Sequence, residues 1–318
     1  MARAWGFWTR WKLEILANYL DAFSTAASGL SERVYLDLFA GEADNIDRDT
    51  GEPLRGSAEV ALDVKDPPFT RLRFIELEHA EELRQELAPK MAGRDAQVLE
   101  GNCNEIIVDV LEALRSQKWA PTFAFLDPNG PDYSWSTLVA LAGFKKGSPY
   151  KVELWILFPE PMFVRFLRVD GGTVRPEDRE RISAMFGTDT WVRIYEARLS
   201  RGLTPSEARG EYVNLMRWRL ENVLGYRWTH TFEVRTERDK PIYHMIFATD
   251  NEAGNDIMTY LYNRAAREFP KMRLEVIDRK KGYTEQRLFE DVDRDRALYE
   301  YEPPLPPFGG PERSSANN

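Results

Sequence analysis

Short apolar runs alternating with stretches of helical periodicity constrain this chain more tightly than any other feature. Residues 34–39, 72–77, 96–99, 122–126 and 152–158 read as strands, being short, apolar and bounded by turn residues. Between them, residues 57–64, 79–91, 104–117 and 136–144 are compatible with helices. Parallel strands need a crossover of a dozen or more residues, and a right-handed helical crossover is the usual solution. The pattern therefore predicts an α/β chain with a doubly wound, mostly parallel sheet. Ligands of such sheets sit beyond the carboxyl ends of the strands, at the switch point of the strand order.

The flanking segments complete this plan. Trp8, Trp11, Ile15, Leu16, Tyr19 and Phe23 recur at three- and four-residue steps, the mark of an amphipathic helix whose aromatic stripe packs in the core. Residues 169–224 mix arginines, among them Arg179, Arg193 and Arg217, with acids, and read as a helical insertion with a solvated face. Residues 229–235 and 242–249, joined by a polar turn, predict an antiparallel hairpin, followed by a helix over 254–269 and a short strand over 272–277. Beyond Tyr301 the proline-rich tail is expected not to pack. The chain accordingly divides into a core with an N-terminal helix (1–168), a helical insertion (169–224), a hairpin and helix completing the sheet (225–278) and a partly disordered tail (279–318).

Composition removes several function classes. With 43 basic and 52 acidic side chains the net charge is -9, so the chain does not coat nucleic acid by bulk charge, although a local basic patch stays open. Cys103 is its single cysteine, which excludes an internal disulfide and a cysteine zinc site within the chain. A membrane helix needs about 20 apolar residues. The best run, 154–167, is broken by Pro159, Glu160, Pro161 and Arg165, while Lys12 and Glu14 interrupt the N-terminal apolar region. A cytoplasmic protein is the expectation.

Polar signals fall where the strands end. Asp37-Leu-Phe-Ala-Gly41 follows the first strand, Glu76 and Glu78 the second, Gly101-Asn-Cys-Asn104 the third and Asp127-Pro-Asn-Gly130 the fourth. A cofactor with a sugar, a base and a cationic amino-acid arm would use such a row. A glycine lets backbone approach it, a carboxylate grips the ribose, and later polar groups meet the base and the ammonium. Taken singly, Asp37 is as readily a strand-end residue capping backbone, Glu76 a solvated acid, and Asp127-Pro-Asn-Gly130 a plain turn. Ser57 reads as the N-cap of the next helix, His79 as a helix-start residue and His244 as hydrogen-bonded structure.

From about Trp8 to about Asn263 the chain resembles the three-Cys-motif partner proteins, a class I S-adenosylmethionine-dependent methyltransferase-like family. The resemblance rests on Trp11-Lys-Leu-Glu-Ile-Leu16 with Tyr19-Leu20, the Asp37 to Gly41 run, Gly56-Ser57, Phe74-Ile-Glu76, Gly101-Asn-Cys-Asn104, Phe125-Leu-Asp127-Pro128 with Gly130, Trp135, and Tyr243-His-Met-Ile-Phe-Ala-Thr249. It implies a Rossmann-like methyltransferase sheet ending in an antiparallel hairpin, S-adenosylmethionine as cofactor, and a three-Cys-motif partner of the radical-SAM type that carries the cysteines. It also implies that Asp37, Phe39 and Gly41 form the turn under the methionine arm and that Glu76 holds the ribose. Asn102 and Cys103 would lie near the adenine, and Asp127 and Pro128 would face the transferable methyl.

One departure bears on the cofactor. The family pattern usually continues Phe-Ala-Gly-Pro-Gly, whereas Gly41 here is followed by Glu42-Ala43-Asp44, so the second glycine is absent. The two acids suit a cationic sulfonium or ammonium and repel a phosphate, which disfavours a dinucleotide. Residues 45–55 read as a loop over the entrance.

Methyl transfer rests largely on orientation in a desolvated pocket and needs no catalytic triad. For an exocyclic amine acceptor, the Asp127 carboxylate and the Pro128 carbonyl would accept its hydrogens, with the proline restricting the local backbone. A base in duplex nucleic acid would have to be extruded, with Tyr133, Trp135 or Phe158 as stacking candidates that are equally core candidates. Two readings follow: a methyltransferase acting on a nucleic-acid base or modified nucleoside, and a non-catalytic Rossmann-like subunit that positions the radical enzyme. A nuclease gathering a metal on Asp37, Glu76 and Asp127 is a distant third, since their spacing demands no metal.

Overall fold

The computed structural model describes residues 3–42, 45–167, 174–280 and 299–310. A short strand β1 (Arg3–Trp5) leads into helix α1 (Phe7–Ala26), then β2 (Val34–Asp37) and the short β3 (Asn45–Asp47). The alternating part follows as α2 (Ser57–Asp63), β4 (Arg71–Glu76), α3 (Ala80–Met91), β5 (Asp95–Glu100), α4 (Cys103–Ala113), β6 (Thr122–Leu126), α5 (Trp135–Phe144) and β7 (Glu153–Phe158). Helices α6 (Glu160–Val164), α7 (Pro176–Phe186), α8 (Trp191–Leu199) and α9 (Pro205–Asn222) precede β8 (Trp228–Arg235), β9 (Pro241–Thr249) and the long α10 (Glu252–Lys280).

The main sheet has seven strands in the order β5-β4-β2-β6-β7-β9-β8. The first five are mutually parallel, and β9 and β8 complete it as an antiparallel hairpin. This is a doubly wound, Rossmann-like sheet closed by an antiparallel edge hairpin. The chain runs outward from β2 through β4 to β5, returns to the centre and continues through β6 to β7, which puts the switch point between β2 and β6. Buried strands of this kind carry apolar residues on both faces, and β2, β6 and β7 are buried along their whole length.

Two hydrophobic cores flank the sheet. One packs Leu36, Leu126 and Ile156 against α4, α5 and the helices of the insertion, whose Phe186, Trp191 and Met216 are buried within it. The helical insertion is therefore integral to the core, and its solvated arginines occupy only its outer side. The other core packs Tyr35, Phe125 and Trp155 beneath α1 and α10, with Trp11, Tyr19 and Tyr262 interdigitating. The aromatic stripe of the first helix is thus core.

Three segments depart from the sequence reading. Residues 272–277 continue α10 instead of forming a strand. Met258, Leu261, Tyr262, Ala265, Phe269 and Val276 keep helical spacing and bury one side of α10, so no strand is needed to cover them. Residues 299–310 are packed, contrary to the expectation of a loose tail. Asn263 bonds the backbone of Tyr299 through both its Oδ1 (2.6 Å) and its Nδ2 (2.9 Å), and Asn214 does the same with Leu305 (2.8 and 3.0 Å). The remainder of the tail lies outside the described residues. Finally, β1 and β3 pair in parallel as a small second sheet where a loop was expected, with the Trp5 indole donating to Asn45 Oδ1 at 2.6 Å. Strands of three residues are too short to leave a periodic trace.

Candidate functional site

A cavity of about 620 Å³ opens at the carboxyl ends of β2, β4, β5 and β6. Its volume falls in the range of small-molecule sites. Phe39, Gly41, Glu76, Asn102, Cys103 and Asp127 all line it. Asp37 lies behind its floor, and Pro128 is buried beside its wall.

The floor begins where β2 ends. Asp37 is fully buried, and its carboxylate accepts from the Phe39 N–H (3.3 Å) and the Tyr35 hydroxyl (3.1 Å). Burial pushes its pKa up to about 7, and hydrogen bonds from Ser57, Phe39 and Tyr35 keep it from rising further. Ser57 thus faces Asp37, while Gly56 takes the N-cap position of α2, one residue before the expected cap. The turn ends at Gly41, whose φ of 76° lies in the left-handed region. No atom lies within 4 Å of where a Cβ would stand on Gly41, so the backbone meets open space there. Ala43 and Asp44, part of the departure from the family pattern, lie outside the described residues.

Glu76 is anchored from both sides. The Gly41 N–H donates to Oε2 at 2.8 Å, while the Glu78 and His79 N–H groups donate to Oε1 at 3.1 and 3.3 Å. The carboxylate is held by backbone on both oxygens, lines the cavity and keeps its spare acceptor capacity on Oε2. His79 sits at the start of α3 as expected, with Nε2 3.7 Å from Glu42 Oε1 at the cavity mouth.

Asn102 caps α4, its side chain accepting the Asn104 N–H at 3.0 Å. Cys103 is buried, and burial pushes its thiol up to about 12, so it is a neutral wall group and no nucleophile near neutral pH. Asn104 has the larger structural task. It donates to the Asp132 carbonyl (2.7 Å) and accepts from the Ser134 N–H (2.8 Å) and the Thr137 hydroxyl (2.7 Å). It thereby ties the loop after β6 to α4.

Lys12 is the residue that sequence reasoning missed. It extends from α1, buried at 4 % exposure, and forms an ion pair with Asp127 Oδ2 at the end of β6. Its ammonium lies 5.6 Å from the ring centre of Tyr243 and 6.0 Å from that of Phe125. A lysine one step from Trp11 on an aromatic helix gives one clue, since a charge on a buried face needs a partner. Among the described residues, no other group bonds to Asp127 Oδ1. The Tyr133 hydroxyl, at the cavity wall, is buried without a hydrogen-bond partner among the described residues.

The other sequence candidates lie elsewhere. Phe158 is fully buried, and Trp135 is covered by the Arg219 guanidinium 4.2 Å above its ring, so neither offers a free stacking face. His244 stands with Nδ1 3.0 Å from Oε1 of the buried Glu160, close but not aligned as a hydrogen bond. Among the described residues no three His, Cys, Asp or Glu side chains gather as a metal site, and Asp37, Glu76 and Asp127 stay separate. No helix among them is long and apolar enough to cross a membrane.

No protein-family model and no curated protein matches the chain. Several solved structures are similar to it. The methyltransferase domain of bacterial CtHen1-CN is 10 % identical over 68 % of this chain and 89 % of that one, with a TM-score of 0.33. TYW2 of M. jannaschii in complex with AdoMet is 11 % identical, covering 70 % and 72 % of the two chains, with a TM-score of 0.29. Protein LPL1258 of Legionella pneumophila is 11 % identical over 84 % and 92 %, with a TM-score of 0.39. These are remote likenesses.

Proposed function

We propose that the chain is an S-adenosylmethionine-dependent methyltransferase acting on an exocyclic amine of a nucleic-acid base or modified nucleoside. The observation that carries this reading is the open cavity in which a backbone-anchored Glu76 and the bare backbone of Gly41 face the Asp127 lip. When bound, S-adenosylmethionine supplies an electrophilic methyl group. Glu76 would hold the ribose hydroxyls, the turn from Asp37 through Phe39 to Gly41 would support the methionine arm, and Asn102 and Cys103 would border the base. The orphaned Tyr133 hydroxyl fits a site that still awaits a polar group.

On the acceptor side, Lys12 holds Asp127 through Oδ2 and leaves Oδ1 for an amine hydrogen. That fixes the carboxylate at the end of β6 in a defined orientation, which is where most of the rate of such a transfer would arise. Pro128 would present its carbonyl beside it. The resemblance to three-Cys-motif partner proteins supports a further part of the reading, that the chain works with a radical-SAM-type protein bearing the cysteines. The alternative is a subunit that has lost catalysis and keeps only the fold.

Calorimetry with S-adenosylmethionine and S-adenosylhomocysteine separates these readings. Micromolar binding is expected, with Glu76→Ala weakening it at least a hundredfold in a protein that still unfolds cooperatively. Folded protein that takes up neither ligand at millimolar concentration overturns the enzymatic reading.

A further inference from the structure

A second cleft, of about 660 Å³, lies at the opposite end of the sheet, where β6 and β7 begin and β9 ends. Lys118, Lys145, Lys146 and Lys151 line it together with Trp119 and Tyr150. In a chain of net charge -9 this concentration of ammonium groups is a local reversal of sign. The acids in the same lining are already used. Glu153 accepts from the Tyr19 hydroxyl (2.5 Å) and the Thr249 hydroxyl (2.7 Å), and Asp250 accepts from Lys151 (2.9 Å) and the Arg227 N–H (2.9 Å).

Lys145 is the anomaly. It is only 5 % exposed, at the end of α5, and its ammonium makes no hydrogen bond or ion pair with any described residue. The side chain is buried up to an ammonium that reaches the solvent of the cleft, and burial pulls its pKa down to about 8, with nearby Glu153 only partly opposing that. An anion in the cleft would supply the missing partner. Lys118 and Lys146, both exposed, stand at the same opening, while Trp119 at 49 % and Tyr150 at 47 % exposure present aromatic faces to solvent.

We propose that this cleft binds a nucleoside phosphate unit, with the phosphate at Lys145 flanked by Lys118 and Lys146 and the base stacked on Trp119 or Tyr150. Lysines that track a phosphate beside exposed aromatics are the means by which single strands are held without regard to sequence. The same chemistry serves a free nucleotide or one residue of a single strand. The site goes beyond the cofactor reading and stands apart from it, since the two cavities share no lining residue.

The test uses the full chain at low salt, with a fluorescein-labelled single-stranded RNA octamer followed by anisotropy and adenosine monophosphate followed by calorimetry. At least one probe is expected to bind, with Lys145→Met and Trp119→Ala each weakening it about tenfold or more. Tight octamer binding that the monophosphate does not displace assigns the cleft to a strand, and equal competition assigns it to a free nucleotide. Trp119 is exposed, so its variant folds whatever Lys145→Met does. Absence of binding by both probes at millimolar concentration, or binding that neither variant weakens, overturns the proposal.

Discussion

The parallel half of the sheet and its antiparallel edge treat buried polar groups in opposite ways. At the carboxyl ends of β4 and β6, Glu76 and Asp127 are anchored by backbone or by Lys12 and still line the cavity, while Asp37 at the end of β2 is buried behind it. At the edge, the polar groups around His230 and Glu221 close on one another, although among the described residues the Thr231 and Tyr243 hydroxyls and the His244–Glu160 pair make no hydrogen bond. His230 on β8 is fully buried between the Asn255 Oδ1 (2.8 Å) and the Tyr299 hydroxyl (3.1 Å), and Tyr299 in turn accepts the Thr231 N–H at 3.1 Å. Glu221 accepts from Thr229 and from the Tyr301 hydroxyl (3.0 Å). Satisfied networks stabilise, whereas half-satisfied ones await a ligand. The edge is therefore expected to carry stability and the parallel half to carry binding.

His230→Ala breaks this contrast if it weakens cofactor binding. It removes a fully buried ring and leaves Asn255 and Tyr299 without their partner, so a loss of about 3 kcal/mol in urea denaturation is expected. Cofactor affinity should stay within a factor of two.

Acidification sharpens the comparison, because the two halves titrate with opposite signs. Burial holds the His230 pKa down at about 4 against an ordinary 6.5, so the unfolded chain binds the proton first and this contribution to stability is lost as pH falls from about 6.5 toward 4. Asp37, held up at about 7 by burial, behaves in reverse: the folded chain binds its proton first, so stability rises as pH falls through 7 toward 4. The two offset each other in the wild type. Asp37→Asn is expected to steepen the loss of stability between pH 6.5 and 4.5 by up to about 1.4 kcal/mol per pH unit. Parallel stability curves for the variant and the wild type would show that Asp37 does not titrate in this window.

The smallest effect belongs to the tail. Tyr301→Phe removes one hydrogen bond to Glu221 and is expected to cost about 1 kcal/mol by the same denaturation assay, with cofactor titrations superimposable on the wild type. A shift in those titrations would tie the edge to the cavity.

The parallel strands and their helices were legible because each carries its own signal: apolar runs of strand length, turn residues after them and three- to four-residue spacing between. The row of strand-end motifs was legible for a related reason. Strand order places consecutive carboxyl ends side by side, so residues far apart in sequence, such as Gly41 and Glu76, meet in one cavity. What failed were segments whose conformation is set by remote partners. Residues 272–277 have strand-like composition, yet the core under α10 keeps them helical, and the tail is proline-rich, yet Asn214 and Asn263 hold its backbone.

The sequence by itself determined the alternation, the sheet type and the positions where a ligand could be met, since these follow from local periodicity and from chain connectivity. Only the tertiary structure decided which charges face one another: Lys12 against Asp127, Gly41 against Glu76, Asn104 against the loop after β6, and Lys145 against no one. The reason is that pairing energies depend on burial and on distances of a few ångströms across the fold, and neither quantity is written along the chain.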